Sequence, residues 1–202
     1  TWVAPPGAAL ALSVVVDVAG LPIAARGWIP LAAGAAMTRA VAAQLRGTGN
    51  SAGLKWPNDV LVDGLKICGI LAEAVAGSPS TVVVGSGVNT RMAAVDLPVT
   101  TATSFAALGV AVDEDRLIAD YLTALDEQLA ALAAAGGDAS AAGLRGEIES
   151  LCLTLGRAVT VSLPDGSALV GEAVRIDPDG RLVVRGAAGE TAVAAGDVTH
   201  VR

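Results

Sequence analysis

The residues of this chain best suited to chemistry lie between Lys55 and Asn89. They form three clusters: Lys55-Trp56-Pro57-Asn58-Asp59, then Gly64-Leu65-Lys66-Ile67-Cys68-Gly69-Ile70-Leu71, then Gly85-Ser86-Gly87-Val88-Asn89. Most of the remaining sequence is alanine, valine, leucine and glycine. Charged and amide side chains cost stability in a core, and glycine costs backbone entropy, unless a turn or a ligand requires them. Lys66 stands in a strand pattern that is otherwise apolar. It reads either as an edge-strand lysine with a solvated head or as a cation aimed at a phosphate or carboxylate, where it would stabilise charge developing in phosphoryl or acyl transfer. Asn58 and Asp59 read either as an Asx-turn after Pro57 or as a base-reading amide beside an aspartate. A side-chain amide can accept from adenine N6 and donate to N7. Asp59 could orient Lys55 or Lys66, or hold Mg2+ on a triphosphate. Gly69 marks a bulge or the close approach of a ligand to the backbone. Gly85 and Gly87 repeat that device at the end of the next strand. Asn89 is a turn residue or a second amide for the same base.

The other reactive side chains have blander readings. Cys68 is expected to be a buried, inert thiol, because no base accompanies it in sequence. His200 reads as structural or exposed, Trp56 as core, and Trp2 as a core anchor or a lid over a ligand. One histidine, and no cysteine pair at ligand spacing, argue against a metal site. The 202 residues carry a formal net charge of −7 and show no basic stripe, which argues against a general nucleic-acid binder. Cys68 and Cys152 lie far apart and fit a reduced, cytoplasmic protein. No apolar run reaches membrane length free of charge or Gly/Pro punctuation, and no signal peptide is read. The chain starts at Thr1 and is already in a strong strand by residue 10, so an upstream portion is expected.

The elements that must position these residues are partly legible. Residues 10–18 are β-branched and bounded by Gly7 and Gly20-Leu21-Pro22, which predicts a buried strand. The Ala-rich stretch 28–46 predicts a helix, with Pro30 in its first turn and Gly47 as its stop. Strands are expected over 53–56, 59–62, 65–75 and 81–88, with Asp63-Gly64 as a hairpin turn. Asp113 can cap a helix whose acidic first turn suits the dipole. Leu117, Ile118, Tyr121, Leu122, Leu125, Leu129 and Leu132 then recur at helical period. A second helix is expected over 139–151, interrupted by Gly143 and Gly146. Five short strands over 159–163, 168–176, 181–185, 191–195 and 198–201 suggest a small barrel. A unit of about 46 residues is marginal alone, so it should dock on the larger domain.

Taken in order, the three clusters resemble the biotin protein ligase family. The matching motifs are Lys55-Trp56-Pro57-Asn58-Asp59, Lys66-x-x-Gly69-Ile70-Leu71 and Gly85-x-Gly87-x-Asn89. The Trp2 segment leading into the first strand, Ala102-Thr103-Ser104 and the small C-terminal barrel also fit, so the resemblance covers essentially the whole chain. It implies an α+β fold. Residues 1–155 would form a mixed or antiparallel β-sheet with packed helices, of the class II aminoacyl-tRNA synthetase and biotin ligase kind. Residues 156–202 would form an SH3-like β-barrel. The implied reaction has two steps. Biotin attacks the α-phosphate of Mg-ATP to give biotinyl-5′-adenylate and pyrophosphate. A lysine on the biotin carboxyl carrier domain of an acyl-CoA carboxylase then takes the biotinyl group.

By the same resemblance Lys66 is the catalytic lysine, and Asp59 helps to order the phosphate and Mg2+ region. Asn58 and Asn89 would contact adenine. Gly69, Leu71, Gly85 and Gly87 would line the biotin pocket, and residues 91–98 would belong to a mobile loop that closes over the adenylate. A cytoplasmic enzyme with ATP, Mg2+ and biotin, no membrane partner and a possible homodimer is implied. Two departures stand out. The family's arginine- and glycine-rich loop and an earlier Ser-Thr-Asn segment, both upstream of the Trp2 position, are not in this sequence. Cys68 also replaces a smaller residue. The missing loop motivates a second reading, a non-catalytic truncated remnant or binding module. A lipoate- or octanoyl-transferring relative is disfavoured by the paired asparagines and the Lys-Trp-Pro-Asn-Asp motif.

Overall fold

A sheet of five antiparallel strands carries all three clusters. The computed structural model describes residues 4–201, so Trp2 lies outside the described residues. The strands are β1 (Leu10–Asp17), β2 (Ala52–Lys55), β3 (Asp59–Val62), β4 (Leu65–Ala74) and β5 (Thr81–Val88), in the spatial order β1-β5-β4-β3-β2. Helix α1 (Trp28–Gln44) touches β2, β3 and β4, and also α2 (Glu114–Ala134) and α3 (Leu144–Leu151). Most of α1 is buried, as expected of a helix that is apolar on every side. Its small residues let it approach closely: a Cβ on Gly34 would lie 2.5 Å from Leu54 Cδ1 on β2.

Local chemistry explains most element ends. The Asp113 carboxylate accepts from the Arg116 backbone N–H at 3.0 Å and caps α2. Asp63 and Gly64 both take positive φ, 49° and 83°, as the tight turn between β3 and β4 requires. The Asp63 carboxylate is fixed there by Asn50 Nδ2 at 2.7 Å and the Ser51 N–H at 3.0 Å. The helix expected over 139–151 is shorter, Leu144–Leu151, because Gly143 sits at φ 74°, which a right-handed helix cannot continue through.

The pairing of β3 with β4 holds the fold's main irregularity. Leu61 faces Lys66 and Val60 faces Cys68, so Ile67 is an extra residue in β4. A bulge of this kind reverses the alternation of side chains beyond it. Strict period-2 alternation would place Lys66 with Cys68 on one face and Ile67 with Gly69 on the other. Instead Ile67 and Cys68 are both buried, while Lys66, Gly69 and Leu71 share the open face. The bulge thus falls at Ile67 and not at Gly69, which pairs regularly with Asp59 and Gly87. Strand β4 lies between β3 and β5 in the sheet interior, so Lys66 is not an edge-strand lysine.

The second sheet is built from β6 (Ala158–Ser162), β7 (Ala168–Ile176), β8 (Leu182–Gly186), β9 (Gly189–Val193) and β10 (Asp197–His200), in the order β10-β6-β7-β8-β9. It docks on the first sheet through two indoles. Trp28 Nε1 donates to the Pro178 carbonyl at 2.8 Å and Trp56 Nε1 to the Gly180 carbonyl at 3.2 Å. Between the sheets the Leu153 N–H donates to the Leu54 carbonyl at 2.8 Å, and the Leu153 side chain fills the space that Gly53 leaves. Thr154 Oγ1 accepts from the Trp56 N–H at 3.1 Å and lies 3.2 Å from His200 Nε2, so His200 is part of this joint. No helix among the described residues is long and apolar enough to cross a membrane.

Candidate active site

The open face of the first sheet holds a cleft of about 640 Å³. Its floor is made of small residues because of register: Ala11 and Ser13 on β1 pair with Gly87 and Gly85 on β5, which in turn pair with Gly69 and Leu71 on β4. A Cβ on Gly85 would meet only the Leu71 carbonyl oxygen, at 3.8 Å, and would otherwise project into open space. Leu71, more than half exposed, supplies an apolar wall. Asn58, Asp59 and Lys66 stand at the polar end. The surface suits a compact, mainly apolar ligand with one charged or polar terminus.

That polar end is organised around Asp59. Its Oδ1 lies 2.5 Å from Lys66 Nζ and its Oδ2 lies 3.8 Å from Lys55 Nζ. Asp59 and Lys55 face one another across β2 and β3, while Asp59 faces Gly69 across β3 and β4. The lysine head bends over Gly69: a Cβ there would sit 3.1 Å from both Cε and Nζ of Lys66. Gly69 lines the cleft and also leaves room for the Lys66 side chain. Cys68, just beneath, is fully buried. Burial first, and then the Asp59 carboxylate, push its thiol up to about 12. A thiol so placed stays protonated at neutral pH.

The asparagines part company. Asn58 stays on the cleft wall, where its N–H-bearing Nδ2 donates to the Ile70 carbonyl at 2.5 Å and its own carbonyl accepts from the Ile70 N–H at 2.9 Å. One of its two side-chain N–H donors is thus committed to the chain. Asn89 is buried and lines neither this cleft nor the one beside it. Its Nδ2 donates to the Thr103 carbonyl at 2.9 Å. Beyond the end of β5, residues 101–103 continue the sheet beside β4: the Lys66 N–H donates to the Thr101 carbonyl and the Thr103 N–H to the Lys66 carbonyl, each at 2.8 Å. Asn89 ties that segment down, and with it the backbone of Lys66. Within the expected loop at 91–98, Arg91 pairs with Glu114 at 2.9 Å and Met92 is buried, while Val95 is almost wholly exposed.

Several contributors carried no sequence signal. Ser86 points to the helix side and meets the Tyr121 hydroxyl of α2 at 3.1 Å, which anchors the strand between its two glycines. Ala11 and Ser13 enter through the β1–β5 register alone. Ala194, Ala195, Gly196 and Asp197 of the second sheet line an adjoining cleft of about 430 Å³, which shares Asn58, Asp59, Lys66 and Leu71 with the first.

Comparison with known proteins agrees with the motifs. The biotin/lipoate A/B protein ligase family matches residues 1–89, and the biotin protein ligase C-terminal domain matches residues 154–201. A biotin–[acetyl-CoA-carboxylase] ligase of Mycobacterium tuberculosis is 38% identical over 202 residues, all of this chain and 73% of that protein. The fold is that of the biotin protein ligase of Aquifex aeolicus, with a TM-score of 0.78 at 22% identity over 96% of this chain and 82% of that one. The same Aquifex enzyme in complex with biotin and ATP gives 0.75, covering 96% and 79%. The α+β architecture and the small C-terminal barrel are thus those of this group, and the chain belongs to the biotin protein ligase family.

Proposed function

We infer that this chain is an ATP-dependent ligase that activates biotin as biotinyl-5′-adenylate and transfers it to a protein lysine. Family membership supports this reading. The observation on the fold that carries it is the pairing of a small-residue, largely apolar cleft with a lysine–carboxylate pair at one end. The bicyclic ring would lie over Ala11, Ser13, Gly85 and Gly87, against Leu71, with its carboxylate directed towards Lys66. A cation there offsets repulsion between the carboxylate and the α-phosphate, and stabilises the charge spread over the transition-state oxygens. Asp59 holds that ammonium in place. Asn58 would present its side-chain carbonyl to the adenine amino group, while Asn89 would act on the nucleotide end by fixing residues 101–103. Trp2 is proposed as a lid over the ligand.

Among the described residues no group of three or more His, Cys, Asp or Glu could hold a metal ion. The nearest carboxylate, Asp59, already faces two lysines. Mg2+ would therefore arrive with ATP, held mostly by phosphates and water, as is common for this ion. We further propose that the acceptor is the biotin carboxyl carrier domain of an acyl-CoA carboxylase, that the setting is cytoplasmic, and that the functional division falls near residue 155. Homodimerisation would be read from the mass in solution.

The direct test is pyrophosphate release with ATP, Mg2+ and biotin, by the wild-type chain and by Lys66→Ala. Release that depends on biotin and vanishes in the variant, with unchanged thermal stability, is expected. Wild-type turnover in Lys66→Ala would remove the role given to that lysine.

A further inference from the structure

The turn that leads into Asp59 is held from the side of the second sheet. Lys55 faces Asp59 across β2 and β3, so Trp56, Pro57 and Asn58 form the turn between them. β2 is an edge strand of its sheet, and the chain at 152–154 runs along its outer side, where Leu54 and Cys152 form a parallel bridge. The next amide on that side, the Trp56 N–H, donates to the Thr154 side chain, at Oγ1, 3.1 Å away. Thr154 is fully buried. Its oxygen accepts from Trp56, which assigns its own O–H as donor to His200 Nε2, at 3.2 Å, and places the imidazole proton on Nδ1. The Cys152 thiol beside this hydroxyl is raised by burial and stays protonated, so it brings no charge. The charged groups that face the imidazole are two cations, Lys55 of β2 and Arg157, which precedes β6. β6, the strand paired with β10, has no ionisable side chain, and Asp197 on β10 itself lies 3.8 Å from Lys55 Nζ. Neither Thr154 nor His200 lines either cleft.

Resting on the adenylate-forming reading, we infer that Thr154 and His200 are positioning residues for the reaction: His200 orients the Thr154 hydroxyl, Thr154 fixes the Trp56 amide, and the turn so held sets Asn58 and Asp59, and Lys66 through Asp59. The relay works only with a lone pair on Nε2. Once His200 is protonated, Nε2 becomes a donor, and the buried Thr154 O–H loses its acceptor. The new imidazolium also faces Lys55 and Arg157, two like charges. Burial first, and then those cations, already hold His200 below its ordinary 6.5, so the relay is intact at neutral pH. Acid therefore acts on the reacting groups through a residue that touches no substrate. The second sheet acts as the part of the enzyme that senses pH, and the Trp56 amide is where that signal enters the first sheet.

The test is the pH profile of biotin-dependent pyrophosphate release at saturating Mg-ATP and biotin, between about pH 5 and 8. ATP and biotin titrate alike in every variant, so differences between profiles belong to the protein. The wild type should lose kcat on the acid side. His200→Gln, whose amide oxygen can still accept from Thr154 but does not titrate, should keep kcat at neutral pH and lose that acid limb. Thr154→Val should lower kcat by about 10-fold, as expected of displaced reacting groups, and should flatten the acid limb as well. KM for biotin should change less than kcat, because the cleft floor lies on β1 and β5. Thr154→Ser should restore both rate and limb. An acid limb unchanged in His200→Gln overturns the assignment, and so does wild-type kcat in Thr154→Val. Should Thr154→Val fail to fold, His200→Gln decides alone: loss of the limb supports the relay and its persistence overturns it. A second readout needs no turnover: the hydrogen-exchange protection factor of the Trp56 amide, followed by NMR, should fall as His200 protonates and should not do so in His200→Gln. That fall without any biotin-dependent pyrophosphate release would retain the relay and reject the ligase reading. Release whose pH profile ignores His200 would do the reverse.

Discussion

Replacing Gly69 by alanine separates the placement of Lys66 from its charge. Gly69 does not have positive φ, so alanine is tolerated by the backbone. Its Cβ would lie 3.1 Å from Lys66 Cε and Nζ, against about 3.5–4.0 Å for a relaxed contact. The ammonium must therefore retreat by roughly half an ångström from its position over β4. Lengthening the 2.5 Å pair with Asp59 to near 3.0 Å costs about 1 kcal/mol at an effective dielectric of about 20. That figure shrinks further because the Lys66 side chain is 44% exposed. The exchange of glycine for alanine in a strand returns about 0.5–1 kcal/mol. The two nearly cancel, so the melting temperature should move by no more than about 2–4 °C. The effect on turnover is different, because a catalytic group displaced by a large fraction of an ångström loses rate by about 10- to 100-fold. Gly85→Ala is the control. Its Cβ would enter the cleft without touching Lys66, and should raise KM for biotin more than it lowers kcat. Both variants are read by pyrophosphate release and thermal denaturation. Wild-type kcat in Gly69→Ala would refute the positioning argument, and a large fall in melting temperature would show that the glycine serves the fold.

Asn58→Ala should raise KM for ATP more than KM for biotin; the opposite pattern would mean that adenine is wrongly placed. Cys68 and Cys152 are both buried and unpaired, and burial raises both thiols, so neither should react with iodoacetamide until the chain unfolds. Rapid modification of the native protein, read by mass spectrometry, would contradict the packing of β4. His200 is held below its ordinary 6.5 by burial first, and then by Lys55 and Arg157. The folded chain therefore binds fewer protons at this site than the unfolded one. Stability contributed there is complete above about pH 6.5 and is lost as pH falls through the lower folded value. His200→Gln should flatten the acid side of a melting-temperature profile; an unchanged slope would assign that slope to other groups.

The sequence by itself determined whatever depends on neighbours along the chain. The Asp63-Gly64 turn follows from the left-handed conformations that its geometry demands, and the α2 cap from an aspartate that accepts a free N–H of the first turn, that of Arg116. The apolar period of α2 and the short-strand texture after Gly156 are equally local. The three motifs also marked Lys66, Asp59, Asn58, Gly69, Leu71, Gly85 and Gly87, all of which meet at one cleft. Tertiary structure decided where these residues point. A single bulged residue, Ile67, puts Lys66 and Gly69 on the same face, and one inserted residue in a pleated strand leaves no signature in composition or period. Asn89 looked equivalent to Asn58, yet it is buried under the 101–103 segment, because that segment takes over the pairing where β5 ends. Ser86 meets Tyr121, and Lys55 meets Asp197, only because strands and helices distant in sequence pack together. Long-range register and docking, settled by burial summed over the whole core, fix such contacts, and no local stretch of the chain encodes them.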